Sequence, residues 1–270
     1  MSAPGKPQLG APTEYPASYD PGLLVSIPRA AGREQLGAGL VFRGADVWTA
    51  YELSWLNAKG RPCVAIAEFT IACDSPAIVE SKSFKLYLNS LNQERFASTD
   101  AVRKVLQKDL GQGFGAAVDV QIFAIDEYAD RGMVSFTGQC LDDLDVECDD
   151  FQPDADYLRV AEHEVTEQLY SHLLKTNCPV TGQPDWASIS ICYSGRAIEH
   201  RGLLQYLVSF RGHEDFHEHC VERIFSDIVS RCQPASLQVY ARYTRRGGLD
   251  INPYRSTGQE ATVFCRTARQ

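Results

Sequence analysis

Cys178 stands seven positions before Asp185 in the stretch Asn177-Cys178-Pro179-Val180-Thr181-Gly182-Gln183-Pro184-Asp185-Trp186. Proline and glycine at this density forbid helix and make a stiff turn, which can present a thiol and a carboxyl to one spot. A thiolate nucleophile beside a proton carrier is a recurring chemical pair. Spacing alone favours a plainer reading, a loop with a chance cysteine, because free cysteines are usually buried and inert. A second group, His213-Glu214-Asp215-Phe216-His217, matches the H-E-x-x-H pattern of zinc proteases. That chemistry needs both histidines on one helical turn. Here the five residues straddle the end of Arg211-Gly212 and a helix start, and His219 and Cys220 do not make a convincing further ligand, so no metal site is expected. Arg245-Arg246-Gly247-Gly248 reads as a hairpin turn and is by itself a weak signal. No G-x-G-x-x-G follows a strand, which argues against dinucleotide binding of the Rossmann kind.

These residues need elements to hold them. Residues 1–45 are rich in proline and glycine and read as an arm wrapping the body, anchored by Leu23-Leu24-Val25. The first module is placed at 46–140. There Ala45–Tyr51, Cys63–Ile71 and Phe84–Leu88 read as strands, Ser98-Thr99-Asp100 caps a helix lined by Val102, Val105 and Leu106, and Ala117–Ile125 alternates like a strand. The acidic run 141–154 reads as a solvated linker. The second module, 155–270, repeats the first. Glu80, Tyr87, Leu88 and Ser90 coincide with Glu199, Tyr206, Leu207 and Ser209 at a constant offset of 119. Leu203–Phe210 is then a strand, Phe216, Cys220, Ile224 and Ile228 stripe a helix, and Leu237–Tyr243 and Ala261–Phe264 close the sheet. Gly60-Arg61-Pro62 faces Gly182-Gln183-Pro184 at an offset of 122, a short indel away, which sets Leu56 opposite Cys178; Ala97-Ser98 stand opposite His217-Glu218 at 120. The first module thus has no cysteine opposite Cys178, the second departs from Glu80-Ser81-Lys82-Ser83-Phe84-Lys85-Leu86-Tyr87-Leu88, and one complete site is expected to draw on both.

The 270 residues carry a net charge of −9, against a non-specific nucleic-acid binder, which needs a basic footprint. The amino-terminal stretch lacks the apolar core of a signal peptide, and no apolar run reaches membrane-spanning length. Nine cysteines without C-x-x-C pairs fit a reducing cytoplasm better than a disulfide scaffold. Cys63, Cys73 and Cys192 lie in apolar β-like stretches and read as core.

CPVTGQPDW, with Glu80-Ser81-Lys82-Ser83-Phe84-Lys85-Leu86-Tyr87-Leu88 and Phe216-His217-Glu218, closely resembles the NADPH-dependent 7-cyano-7-deazaguanine reductases, the QueF family, in their longer two-module form. The resemblance runs over nearly the whole chain from Leu9-Gly10. It implies an α+β fold of two tandem tunnelling-fold (T-fold) modules, each an antiparallel sheet with helices on one face. It implies reduction of a nitrile to a primary amine on the route to queuosine in tRNA, with the free base as substrate, no direct nucleic-acid partner and no membrane. NADPH is the implied cofactor and a homodimer the implied assembly. Cys178 would be the nucleophile that forms a thioimide, Asp185 the general acid and His217 an aid to proton transfer. Val79, Glu80, Ser81, His217 and Glu218 would hold the purine-like substrate, and Ser81, Lys82, Arg246 and Gly247 the NADPH. The alternatives are a zinc-dependent cyclohydrolase of the same fold and a catalytically idle purine-binding module. Cys220, two residues past Glu218, either reaches Cys178 as an oxidation partner or faces the core with Phe216 and Ile224.

Overall fold

The computed structural model describes residues 15–34, 36, 41–258 and 266–270. The chain gathers into two compact units: one of residues 1–32, 47–132 and 246–249, and one of 33–46, 133–245 and 250–270.

In the first unit the elements run β1 (Ser26–Pro28), α1 (Arg29–Arg33), β2 (Arg43–Asn57), β3 (Pro62–Ala72), β4 (Ala77–Val79), α2 (Ser81–Ser90), β5 (Arg95–Phe96), α3 (Thr99–Phe114), β6 (Val118–Phe123) and α4 (Ile125–Ala129). β3 lies between β2 and β6, pairing antiparallel with β6, and β5 adds to β2 in parallel. Trp48 of β2 and Phe69 of β3 pack on Phe84 of α2, with ring centroids 5.0 and 5.2 Å apart, and Trp48 also meets Phe114 of α3. Both long helices therefore cover one face of the sheet. Residues 15–28 dock on those helices. Tyr19 Oη donates to Asp109 at 2.6 Å, Val25 N to Ser83 Oγ at 3.1 Å, and Ser26 Oγ to the Gly113 carbonyl at 2.6 Å. Hydrogen bonds thus hold this segment along with its half-buried Leu23-Leu24-Val25.

The ESKSFKLYL stretch is a helix, not a strand. Glu80 caps it by accepting from the amides of Lys82 at 2.9 Å and Ser83 at 2.7 Å. Phe84, Tyr87, Leu88 and Leu91 are buried at helical spacing. The local alternation Phe-Lys-Leu-Tyr-Leu imitates a strand, but the cap and the longer period decide.

The second unit follows with β7 (Gln139–Cys140), β8 (Val160–Asn177), β9 (Pro184–Ile198), α5 (His200–Ser209), α6 (His217–Cys232), β10 (Ser236–Tyr243) and β11 (Leu249–Ser256). β8, β9, β10 and β11 neighbour one another in that order, each pair antiparallel, and β7 joins β8 in parallel. Ala187, Ile189, Ile191 and Tyr193 of β9 alternate into a core shared with Leu203 and Leu207 of α5 and Val221, Ile224 and Ile228 of α6. Leu203–Phe210, read as a strand, is again mostly helix. The closing strand is Leu249–Ser256, and Ala261–Phe264 lie outside the described residues. The acidic run is not a plain solvated tether. Leu141 is buried, with Leu144 and Val146 against the second core, while Asp142 accepts from Ser171 Oγ at 2.6 Å.

The repeat is visible in bonds as well as letters. Tyr87 Oη donates to Asp109 at 2.7 Å in the first unit, and Tyr206 Oη to Asp227 at 2.7 Å in the second. In each, the serine three residues past the tyrosine donates its hydroxyl to that tyrosine's carbonyl at 2.6 Å.

Candidate functional site

Cys178 lies in the tight connection between β8 and β9. Its amide donates to the Gln183 carbonyl at 2.9 Å, and the Gly182 amide donates back to the Cys178 carbonyl at 2.9 Å. Gly182 has φ +65° with open space around it, so backbone conformation, not crowding, calls for glycine there. Cys178 is half-buried. The β8–β9 register sets Thr176 opposite Asp185 and Lys175 opposite Trp186. Asp185 is only 4% exposed.

The segment before α6 is stitched to this hairpin. Asn177 N donates to the His213 carbonyl at 2.8 Å, and Asp215 N to the Asn177 carbonyl at 3.2 Å. Lys175 Nζ donates to Asn177 Oδ1 at 2.6 Å and to the Arg211 carbonyl at 2.8 Å. The Arg211 guanidinium lies 5.2 Å over the Trp186 ring. These contacts bring the first turn of α6 to the hairpin, where His217 Nε2 meets Asp185 Oδ2 at 3.3 Å. Glu218, 2% exposed, follows in the same turn, where the free amides of a helix start favour an anion. Asp185, His217 and Glu218 thus stand with Cys178 in one unit.

His213 is not on the helix. It precedes α6 and pairs with Asp215 at 3.6 Å, as does His219 at 3.2 Å from the other side. The two outer residues of the H-E-x-x-H match therefore do not share a helical turn, and the zinc-protease geometry does not form. Cys220 is fully buried, and burial pushes its thiol up to about 12 against a partial offset from Tyr243. The core-facing reading of this cysteine holds. Among the cysteines read as core, Cys73 is buried, whereas Cys63 and Cys192 are half-exposed.

The first unit carries the other named residues. Val79 ends β4 and is buried. Glu80 is 6% exposed, with both carboxylate oxygens already accepting amides at the start of α2. A carboxylate has about four acceptor sites, so capacity remains for a ligand. Ser81 and Lys82 form the first turn of α2, half-buried. Arg246 and Gly247 lie on the β10–β11 hairpin, closed by Arg246 N donating to the Leu249 carbonyl at 2.9 Å. Gly247 and Gly248 have φ of +59° and +74°, the two positive angles of a tight hairpin turn. That turn borders a cleft of about 300 Å³ whose wall includes Lys85, Asn89, Glu52 and both glycines.

Sequence reasoning did not single out Tyr243, whose ring stacks on His217, or Lys175 and Arg211, which fasten the hairpin. Their partners lie tens of residues away, and no local pattern marks them.

A family profile described as the amino-terminal part of the nitrile reductase 7-cyano-7-deazaguanine reductase matches residues 15–122, and one described as QueF-like protein matches 184–262. The chain is 52% identical over 266 residues to the NADPH-dependent 7-cyano-7-deazaguanine reductase of Desulfotalea psychrophila, covering 97% of this chain and 96% of that one. It is 54% identical over 266 residues to the protein of that name from Bordetella pertussis, with 97% of each covered. For the one from Burkholderia multivorans the identity is 55% over 267 residues, again 97% of each. The chain belongs to the family of NADPH-dependent 7-cyano-7-deazaguanine reductases.

Proposed function

We propose that this chain reduces the nitrile of 7-cyano-7-deazaguanine to the aminomethyl group through a covalent thioimide on Cys178. The observation that carries this reading is the fastening of the Cys178 connection to the segment that brings His217 within 3.3 Å of Asp185. A nucleophile, a buried carboxyl and an imidazole are then held by one hairpin and one helix start.

The Cys178 thiolate adds to the nitrile carbon, forming a C–S bond as one C–N π bond opens. Asp185 donates the proton that the nitrogen then needs, and His217 supports that transfer at Asp185 Oδ2. In the second unit Glu218 is the carboxylate proposed to accept from N–H groups of the base, and in the first unit the family resemblance names Val79, Glu80 and Ser81 for substrate. NADPH, when bound, supplies two hydrides per nitrile. Between them the C–S bond breaks and Cys178 leaves as thiolate. The residues named for the cofactor fit it: Lys82, Arg246 and neighbouring Lys85 are cations suited to phosphates, and Gly247 leaves a cradle in which an added Cβ would stand 3.4 Å from Lys85.

The net charge of −9 supports work on the free base. No helix among the described residues is long and apolar enough to cross a membrane. The family resemblance supports a homodimer in the cytoplasm, and a light-scattering mass of one chain would count against that assembly. The deciding experiment mixes protein, NADPH and 7-cyano-7-deazaguanine and follows NADPH absorbance. Consumption tied to appearance of the amine is expected, and no consumption would overturn the reading. Intact-mass detection of an adduct at Cys178 without NADPH tests the thioimide separately.

A further inference from the structure

We propose that Tyr243 is a positioning residue of this site: its ring holds the His217 imidazole in the plane from which Nε2 faces Asp185. The inference rests on the reading of His217 and Asp185 as the proton-handling pair. The two rings are parallel, with centroids 3.7 Å apart and planes 4° from coincidence. Tyr243 is completely buried at the end of β10. Its backbone is pinned on both sides, the amide donating to Asn252 Oδ1 at 3.1 Å and the carbonyl accepting from Gln270 Nε2 at 3.0 Å. Its hydroxyl faces the Cys220 thiol and the Thr176 hydroxyl, though neither is a partner at ordinary hydrogen-bonding range. Thr176 is the residue paired with Asp185 across the hairpin.

The need for such a platform follows from His217 itself. An imidazole turns easily about its second side-chain torsion, whose minimum is broad. The buried Nδ1 of His217 has no hydrogen-bond partner among the described residues. Phe216, at the cap position of α6, offers no side-chain bond either. One contact at Nε2 leaves the ring free to tip about it, and a flat face at 3.7 Å removes that freedom while leaving both ring edges open.

The test compares Tyr243→Phe, which keeps the face, with Tyr243→Leu and Tyr243→Met, which remove it. Wild-type turnover is measured first, and its absence would sink the nitrile reading itself. With an active wild type, the Phe variant should stay within about threefold in kcat. The Leu and Met variants, folded by circular dichroism, should lose about 10–100-fold in kcat with a smaller change in KM, as for a misplaced catalytic group. The His217 ring protons should be shifted upfield in wild type and in the Phe variant, and released in the other two. A folded Leu or Met variant with kcat within twofold of wild type would overturn the role. So would a Phe variant as impaired as either, or an unshifted His217 in the wild type. These last two measurements decide the matter even if neither non-aromatic variant folds.

Discussion

In the proposed reaction the chemistry at Cys178 is that of a single sulfur, and it separates cleanly from recognition. Cys178→Ala removes the nucleophile but no donor or acceptor that the base needs. It should bind 7-cyano-7-deazaguanine within a fewfold of wild type, by calorimetry, and show no covalent mass increase; an adduct in that variant would place the nucleophile elsewhere. Glu218 is the converse case. It is buried at a helix start, and in its proposed role its removal leaves N–H groups of the bound base without an acceptor, a loss of about 1–3 kcal/mol. Glu218→Ala should therefore raise the dissociation constant by about 5–150-fold, and unchanged binding would show that the carboxylate does not meet the base. Cys178, Asp185 and His217 were named from the sequence by family resemblance, where spacing alone favoured a chance cysteine, and the structure brings His217 to Asp185 at 3.3 Å. Cys220 was ambiguous there, because helical spacing gives a face but not what covers it. Complete burial settles its place, and a thiol held near 12 stays protonated and inert at neutral pH.

The start of α6 depends on a compact set of charges between the Cys178 hairpin and the helix. Burial alone would raise the Asp215 carboxyl, but the nearby His213 imidazole at 3.6 Å and the hydrogen bond with His219 at 3.2 Å outweigh it and hold it at about 2. Burial likewise disfavours charge on His219, yet the bond to Asp215, with the charges of Asp215, Glu218 and Glu222, raises it above its usual value. Asp215, with its depressed value, contributes stability that is present above about pH 4 and lost as pH falls toward 2. His219, with its raised value, contributes stability that is full below about pH 6.5 and lost as pH rises through its folded value. Both act together between those limits. His219→Gln should therefore destabilise the protein by about 1.5–3 kcal/mol at pH 5.5, as for a charged hydrogen bond, and by less at pH 9. An equal loss at both pH values, by urea unfolding, would show that packing rather than charge is at stake. Element type was less legible than the site here. α3 and α6 carry clear helical stripes and were found. α2 and α5 were read as strands, since a short amphipathic helix rich in Leu and Tyr offers local alternation as well as helical period. In α2 the deciding feature is Glu80, whose capping of Lys82 and Ser83 also occupies part of a carboxylate named for substrate.

Across the whole chain, the least legible feature is the one with the longest reach. Arg33 donates to both oxygens of Glu222, at 2.8 and 2.7 Å, across 189 residues of sequence. Arg255 donates to the same carboxylate at 3.1 and 2.8 Å and pairs with Asp46 at 2.8 Å. Arg255, Glu222 and Asp46 side chains are fully buried, whereas Arg33 is 27% exposed. Phe42 lies against both guanidiniums, 5.1 and 5.6 Å from their carbons, and edge-on to Phe225 of α6. No composition or period reveals such a cluster, since each member is an ordinary charge in its own neighbourhood. Its energetics are asymmetric. Assembling buried charges costs much of what their attraction returns, but removing one leaves the others uncompensated. Arg255→Met withdraws the partner of two buried carboxylates and should destabilise the protein by about 3–5 kcal/mol. Arg33→Ala leaves Glu222 with Arg255 and exposes the vacated side to water, so its loss should be near 1 kcal/mol, closer to that of a surface pair. Because α6 carries Glu222 one turn beyond Glu218, the Arg255 variant should also bind 7-cyano-7-deazaguanine more weakly under conditions where it remains folded. Urea unfolding and calorimetry on the two single variants check this ordering. Equal losses for Arg33→Ala and Arg255→Met would mean that the cluster acts by packing on Phe42 and not by charge.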